Sequence, residues 1–204
     1  DYEPIQTRTR KDEDLKVTSM MMPMTIGEVA EAVAGRLVEG ANGVPEGAVA
    51  LHAVSDSRQV EDGSIFVAIQ GERVDGHDYV ASVADQGAVA AIVDHEVPGA
   101  AVPQIVVDNT VTALGDLAKA NIARRRASGE PFTIIGITGS VGKTTTKDLT
   151  KALLSTLGPT VAPVGSFNNE IGLPLTALTV GEHTRYFVAE IGANHVGEIA
   201  HLTT

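Results

Sequence analysis

The pattern of apolar and polar positions divides the first half of the chain into short alternating elements. Four runs rich in Val, Ile and Ala predict strands, namely Val49–Val54, Ser64–Ile69, Ala88–Val93 and Gln104–Val107. Apolar residues at helical spacing predict helices over Tyr79–Gln86 and Val111–Arg126. Strands that alternate with helices are typical of an α/β fold.

A capping box marks the first regular element of the chain. In Thr25-Ile26-Gly27-Glu28 the Thr and Glu side chains can each bond a free N–H group at a helix start, which predicts a short helix that ends at Gly35. Before it, residues 1–19 carry many charges and few apolar side chains. We therefore predict that residues 1–23 form a disordered leader outside the fold.

The alternation resumes after Ser128–Pro131, a stretch typical of a linker. Beyond it the sequence predicts three strands, namely Phe132–Ile137, Thr160–Val164 and Tyr186–Ile191. It also predicts a helix over Lys143–Leu157 and a short helix before the last strand. Strand–helix–strand order indicates a parallel sheet covered by helices. We therefore predict a small α/β domain over residues 24–128 and a second domain, with a mainly parallel sheet, over residues 131–204.

The two longest predicted helices each carry a distinctive row of side chains. Leu149, Leu153 and Leu157 lie on one face of the second helix at helical spacing. The first helix ends in Arg124–Arg126, followed by Gly129. Basic residues in a last turn complement the helix dipole, so we interpret the arginines as a helix end rather than an anion site.

Composition narrows the possible functions. The formal net charge of −11 argues against nucleic acid as the main partner, because such proteins need a basic surface to neutralise phosphates. The absence of cysteine excludes disulfides and thiolate zinc sites. No apolar run reaches the roughly 18 residues of a membrane span. We expect a cytoplasmic protein that does not insert into a membrane.

The strongest signal of function is a glycine-containing turn between a strand and a helix. The turn comprises Thr138, Gly139, Ser140, Val141, Gly142, Lys143, Thr144 and Thr145. Its glycines let backbone N–H groups approach phosphate oxygens, and the helix start adds its positive dipole end. Lys143 is predicted to contact the β- and γ-phosphates and Thr144 to ligate Mg²⁺. Ile137 stands where the general phosphate-loop pattern has glycine.

Polar residues at two later strand ends complete the predicted site. Glu190 ends an apolar run, where a carboxylate of an α/β sheet is well placed to be the second ligand of Mg²⁺. His195 follows in the next turn as a candidate to orient a phosphate or carboxylate. Asn168 and Asn169 lie in the loop after the preceding strand, where a substrate would pass; such Asn pairs also simply form turns.

The motifs together resemble the Mur ligases, whose ATP loop also lacks the first glycine of the general pattern. The resemblance rests on the phosphate loop, on Phe167–Leu175 and on Glu190–Ile199, and it extends over about residues 24–204. In the first half, Ser55–Arg58 and Gly71–His77 are similar to the family's UDP-binding domain.

The resemblance implies an ATP- and Mg²⁺-dependent ligase that acts as a monomer. It points to the members that join UDP-N-acetylmuramoyl-tripeptide to D-alanyl-D-alanine through an acyl phosphate. It implies three catalytic residues, Lys143, Asn168 and His195. It also implies a set of substrate-binding residues, namely Ser55, Ser57, Arg58, Arg73, His77 and Asn169.

Two alternatives remain open from the sequence. One is a related ligase, either the enzyme that adds the third residue or a protein like folylpolyglutamate synthetase. The other is a phosphate-loop kinase or nucleotide-dependent switch. The family's carbamylated lysine is expected beyond Thr204, together with the domain that brings the dipeptide. We therefore expect the 204 residues alone not to catalyse ligation.

Overall fold

The structure is a computed structural model that describes residues 20–43 and 47–192. Its helices are α1 (Ile26–Ala32), α2 (Thr110–Ala127), α3 (Lys143–Leu154) and α4 (Gly172–Ala177). Its strands are β1 (Met24–Thr25), β2 (Arg36–Val38), β3 (Val49–Ala50), β4 (His52–Val54), β5 (Ser64–Val67), β6 (Ala88–Val93), β7 (Gln104–Val106), β8 (Thr133–Ile137), β9 (Thr160–Val161) and β10 (Tyr186–Glu190). The α/β fold predicted from the sequence is confirmed.

The first half of the chain forms a five-stranded sheet in the order β2-β7-β6-β5-β4. The four strands from β4 to β7 run parallel, and β2 pairs antiparallel with β7 at the edge. The sequence did not predict β2, because its three residues are too few to show an alternation. The parallel order brings the loops that follow β4, β5 and β6 to one edge of the sheet.

The predicted helix over Tyr79–Gln86 is wrong. One short 3₁₀ helix, Gly76–Tyr79, ends at the start of this segment, and a second, Val83–Gln86, ends it; their hydrogen bonds span three residues rather than four. The second ends at Gly87, which adopts a left-handed conformation with φ of 101°. A segment of eight residues is too short to favour an α-helix by itself, so the packing of its few apolar side chains decides its form.

The second half forms a three-stranded parallel sheet in the order β8-β10-β9. In this sheet Glu190, the last residue of β10, pairs with Ile137, the last residue of β8. Because the phosphate loop begins directly after β8, this register brings the Glu190 carboxylate to the loop. The two strand ends predicted to form one site are therefore neighbours in the sheet.

Helix α2 joins the two halves through a buried asparagine and a packed apolar core. Asn121 is fully buried; its amide donates to the carbonyl oxygens of Ala177 and Val180, and its Oδ1 accepts from the N–H of Met22. Met21 is also buried in the core. The predicted end of the leader at residue 23 therefore lies too far along the chain, because Met21 and Met22 belong to the fold.

Arg125, one turn after Asn121, is buried at the junction of the two halves. Its guanidinium donates to the carbonyl oxygens of Glu130, Pro131 and Thr184 and to the hydroxyl of Ser128. The arginines do lie in the last turn of α2, yet a helix end alone does not describe them. Arg125 holds the backbone of the segment predicted to be a linker.

The leucine row of α3 faces outward. Leu149, Leu153 and Leu157, the last of which lies just beyond the helix end at Leu154, are 68%, 66% and 58% exposed. The face of α3 that packs on the sheet carries Lys147 instead. A helix covering a sheet ordinarily buries its apolar face, and here the reverse holds among the described residues. None of the described helices combines the length and apolarity required to cross a bilayer.

Candidate functional site

The loop between β8 and α3 has the geometry of a phosphate cradle. Gly142 precedes the first residue of α3 with φ of 78°, and Gly139 has φ of 148°, conformations that a side chain would strain. The helix therefore starts at Lys143 with its N–H groups directed toward the loop. The ammonium of Lys143 folds back and donates to the carbonyl oxygen of Gly139 at 2.7 Å.

A pocket of about 250 Å³ opens in front of this loop. Its lining consists of Ser140, Val141, Gly142, Lys143, Thr144, Thr145, Ser166, Asn168 and Glu190. Of the eight predicted loop residues, Thr138 and Gly139 do not line it, and Thr138 is exposed. Ser166 lines it without having been singled out from the sequence, although it directly precedes the Phe167–Leu175 stretch.

The carboxylate of Glu190 is the buried centre of the pocket. Its Oε1 accepts from the hydroxyl of Thr144 at 3.1 Å and from the amide of Asn168 at 2.9 Å. Its Oε2 is buried and has no hydrogen-bond partner among the described residues. A buried carboxylate oxygen without a partner is costly unless a cation or water satisfies it.

The two asparagines of the preceding loop have different contacts. The side-chain amide of Asn168 donates to Glu190, so this residue belongs to the pocket. Its backbone carbonyl oxygen accepts from the N–H of Gly192. Asn169 turns away and accepts from the N–H groups of Ile171 and Gly172 at the start of α4. The described contacts of Asn169 are thus those of a helix-start residue.

A buried lysine that the sequence did not single out lies beside the pocket. Lys147 is 1% exposed, and its ammonium donates to the carbonyl oxygens of Pro163 and Gly165 at 2.9 and 2.7 Å. No sequence signal distinguishes it, because a lysine one turn inside a helix is ordinarily solvated.

The predicted substrate residues of the first half gather at the edge where the parallel strands end. Ser55 and Ser57 follow β4 and are half-buried. Arg58 is exposed and binds Asp56 through two parallel hydrogen bonds, Nε to Oδ1 at 2.8 Å and Nη2 to Oδ2 at 2.6 Å. These bonds lower the pKa of Asp56 to about 2.

His77 and Arg73 belong to the loop after β5. Arg73 is exposed, whereas His77 is buried with both ring nitrogens engaged. Nδ1 lies 2.6 Å from the carboxylate of Asp75, and Nε2 accepts from the N–H of Asp94. The backbone N–H and then the ring of His77 lower the pKa of Asp75. These contacts give His77 a structural part in shaping the edge. His195 lies outside the described residues.

A larger groove of about 870 Å³ separates α2 from the second sheet. Its lining includes Ile134, Leu173 and Phe187 and none of the residues of the phosphate loop. The phosphate loop and the Glu190 carboxylate therefore line the smaller pocket and not this groove.

Comparison with known families gives two matches in this chain. The model described as "Mur ligase family, catalytic domain" matches residues 52–121, and the one described as "Mur ligase middle domain" matches residues 137–204. The first match includes the Ser55–Arg58 edge, and the second includes the phosphate loop and Glu190.

Similar curated proteins carry the name UDP-N-acetylmuramoyl-tripeptide–D-alanyl-D-alanine ligase. The one from Mycobacterium bovis is 38% identical over 89% of this chain, and the one from Bacillus subtilis is 40% identical over 88%. The chain spans 39% and 38% of the length of these two relatives.

Solved structures agree with these matches. MurF from Acinetobacter baumannii superposes with a TM-score of 0.76 and 37% identity, over 90% of this chain and 39% of that one. MurF ligase from Thermotoga maritima, solved in complex with ADP, superposes with a TM-score of 0.61 and 35% identity, over 74% of this chain and 34% of that one.

Proposed function

Because the chain belongs to the Mur ligase family, we propose that its pocket between the phosphate loop and Glu190 binds ATP with Mg²⁺ for a ligase reaction. One observation carries the proposal. Glu190 joins the Thr144 hydroxyl to Asn168 through Oε1, while its buried Oε2 has no partner among the described residues. That oxygen and the Thr144 hydroxyl are the hard donors that Mg²⁺ prefers.

The nucleotide would be held mainly by charge and backbone dipoles. The N–H groups at the start of α3 and the ammonium of Lys143 would contact the β- and γ-phosphates, with Lys143 leaving its bond to Gly139. Mg²⁺ would neutralise the charge that develops on the transferred phosphoryl group. Asn168 would keep the Glu190 carboxylate oriented, and His195 is proposed to help arrange phosphate or substrate.

The names of the relatives supply the two substrates of the reaction proposed for the whole protein, and the family resemblance implies its acyl-phosphate route. The γ-phosphoryl group of ATP passes to a carboxylate oxygen of UDP-N-acetylmuramoyl-tripeptide, which gives an acyl phosphate and ADP. The amine of D-alanyl-D-alanine then attacks the carbonyl carbon, phosphate leaves, and the amine loses a proton as the amide forms. We place this activity in the bacterial cytoplasm, in a monomer, without a nucleic acid partner.

The UDP-substrate is proposed to bind at the other sheet edge. Ser55 and Ser57 would offer hydroxyl groups. The guanidinium of Arg58 suits a diphosphate, and on binding it would release the Asp56 carboxylate and contact the diphosphate instead. Arg73 is a further exposed cation in the neighbouring loop. The contacts of His77 and Asn169 favour structural parts at their two sites. The boundary between the two domains is proposed at residues 128–131.

Nucleotide binding provides the direct test. We expect Lys143→Ala to weaken binding of a fluorescent ADP analogue by about tenfold or more, because a charge-assisted contact is lost. Lys151→Ala, on the same helix two turns away, is the matched control and should bind as the unmodified protein does. Near-normal binding by Lys143→Ala would refute the assignment of the pocket.

The amine substrate that the enzyme accepts distinguishes the proposed ligase from related ligases. The full-length gene product, given ATP and UDP-N-acetylmuramoyl-tripeptide, should release phosphate with D-alanyl-D-alanine and not with single amino acids. Release with a single amino acid instead would indicate a related ligase. Nucleotide binding without acceptor-dependent release would favour a kinase or a switch.

A further inference from the structure

The buried ammonium of Lys147 makes two hydrogen bonds and one ion pair. It donates to the carbonyl oxygens of Pro163 and Gly165 and lies 3.0 Å from the Asp148 carboxylate. Two of the three N–H donors of the ammonium are thus engaged by backbone carbonyl oxygens. Burial of a charged group is costly, and it is compensated here mainly by contacts to one short stretch of backbone.

Both of these carbonyl oxygens depend on Lys147 for a donor. Strand β9 ends at Val161, and no backbone N–H of the described residues donates to Pro163 or Gly165. Gly165 has φ of 61°, so the chain turns sharply at this point. The path of the loop is therefore held by the hydrogen bonds from Lys147 of α3 rather than by strand pairing.

The loop held in this way leads directly into the pocket. Ser166 and Asn168 follow Gly165 and line the pocket, and Asn168 donates to Glu190. Glu190 in turn accepts from Thr144, which lies three residues before Lys147 on α3. The contacts form a closed ring that runs from α3 through the loop to Glu190 and back to α3.

We propose that Lys147 is a positioning residue for the nucleotide pocket, which acts through Asn168 on the orientation of the Glu190 carboxylate. The inference rests on the proposed function, in which this carboxylate holds Mg²⁺ beside the phosphates. Lys147 itself does not reach the pocket lining. Its removal should therefore impair the Mg²⁺-dependent part of nucleotide binding more than the part supplied by the phosphate loop.

The test compares Lys147→Met with Lys151→Met in the full-length protein. Methionine fills a similar volume and cannot donate to the two carbonyl oxygens that Lys147 holds, whereas Lys151 is a half-buried residue of the same helix that does not line the pocket. Affinity for a fluorescent ADP analogue is measured with Mg²⁺ and with EDTA. We expect Lys147→Met to lose about tenfold in affinity with Mg²⁺, as is typical when a residue that orients a metal ligand is removed. With EDTA its affinity should stay near that of Lys151→Met.

A double-mutant cycle with Asn168→Ala tests the route. If Lys147 acts through Asn168, the Mg²⁺-dependent loss caused by Lys147→Met should largely disappear in the Asn168→Ala background. Equal losses with and without Mg²⁺, or fully additive losses in the cycle, would overturn the proposal. Should Lys147→Met fail to fold, Lys147→Gln, whose shorter neutral amide can keep only part of the two bonds, is measured in the same cycle. A smaller loss in the same direction is then expected, and the contrary outcomes are unchanged.

Measuring Lys143→Ala in the same assay distinguishes a failure of the proposed nucleotide binding from a failure of the positioning role of Lys147. If Lys143→Ala binds nucleotide normally, the proposed function is wrong. If Lys143→Ala loses binding while Lys147→Met binds normally with Mg²⁺, only the positioning role of Lys147 is wrong.

Discussion

The hydroxyl of Thr144 donates to the carboxylate of Glu190 at 3.1 Å across 46 residues of sequence. The contact exists because β8 and β10 are parallel neighbours whose last residues, Ile137 and Glu190, pair in register. A strand end thus delivers the carboxylate to the first turn of the helix that follows the phosphate loop. The second oxygen of that carboxylate, buried and without a partner among the described residues, is the most informative atom of the site.

Glu190→Gln is expected to separate metal binding from nucleotide binding. Glutamine keeps an oxygen that accepts from Thr144 and Asn168 but removes the negative charge that favours Mg²⁺. Binding of an ADP analogue should lose its dependence on Mg²⁺ while binding in EDTA is retained. Titration calorimetry with and without Mg²⁺ measures this. Glu170→Gln, at an exposed carboxylate of the nearby loop, is the control. Unchanged Mg²⁺ dependence in Glu190→Gln would contradict the metal assignment.

Arg125→Met is expected to destabilise the protein by about 3 kcal/mol or more, because it leaves the buried carbonyl oxygens around it without their donor. Urea denaturation followed by circular dichroism measures the change in free energy of unfolding. Arg124→Met removes only a surface ion pair with Glu28 and should cost about 1 kcal/mol or less. Equal costs for the two variants would show that the buried contacts of Arg125 contribute little.

The pair of Asp56 and Arg58 should be visible in an acid titration. The pKa of Asp56 is lowered from 3.8 to about 2 by the hydrogen bonds from Arg58. A lowered pKa in the folded state means that the pair is fully formed above pH 3.8 and is lost as the pH falls toward 2. Carbon NMR of the Asp56 carboxyl should give a midpoint near 2, and Arg58→Ala should raise it toward 3.8. Arg73→Ala is the control and should leave the midpoint unchanged.

The exposed leucine row of α3 predicts that the isolated 204-residue chain self-associates, whereas a monomer is proposed for the whole protein. A contiguous apolar face of this kind is ordinarily covered in a stable protein. Leu153→Lys should weaken association by about tenfold, since a buried leucine contributes about 1.5–3 kcal/mol. Sedimentation velocity over a concentration series measures the change. Val74→Lys, at an exposed apolar residue elsewhere, should leave association unchanged.

The phosphate loop could be predicted because its requirements are local. A strand, two glycines and a Lys-Thr pair at a helix start suffice to define the backbone path, and Gly142 adopts the left-handed conformation that such a turn needs. Glu190 could be predicted for a similar reason, since parallel strands end at a common edge. The resemblance to the Mur ligases then narrowed the predicted function from nucleotide binding to an ATP-dependent ligase.

Other features depend on contacts that no local pattern records. Lys147 and Arg125 carry the sequence signature of solvated helix residues, and their burial follows from carbonyl groups far along the chain or beyond the helix end. The leucine row of α3 was correctly assigned to one face, but helical spacing does not reveal which face meets the sheet. Likewise, the burial of His77 follows from Asp75 and Asp94 closing around its ring.

Asn121 and Arg125 lie one turn apart on α2 and both hold backbone of the second half of the chain. Any hinge at residues 128–131 would have to break these bonds together, because they act in parallel on the same helix. Helix α2 therefore connects the two halves of the chain through several hydrogen bonds at once. We therefore expect the distance between the Ser55–Arg58 edge and the phosphate loop to change little when a substrate binds.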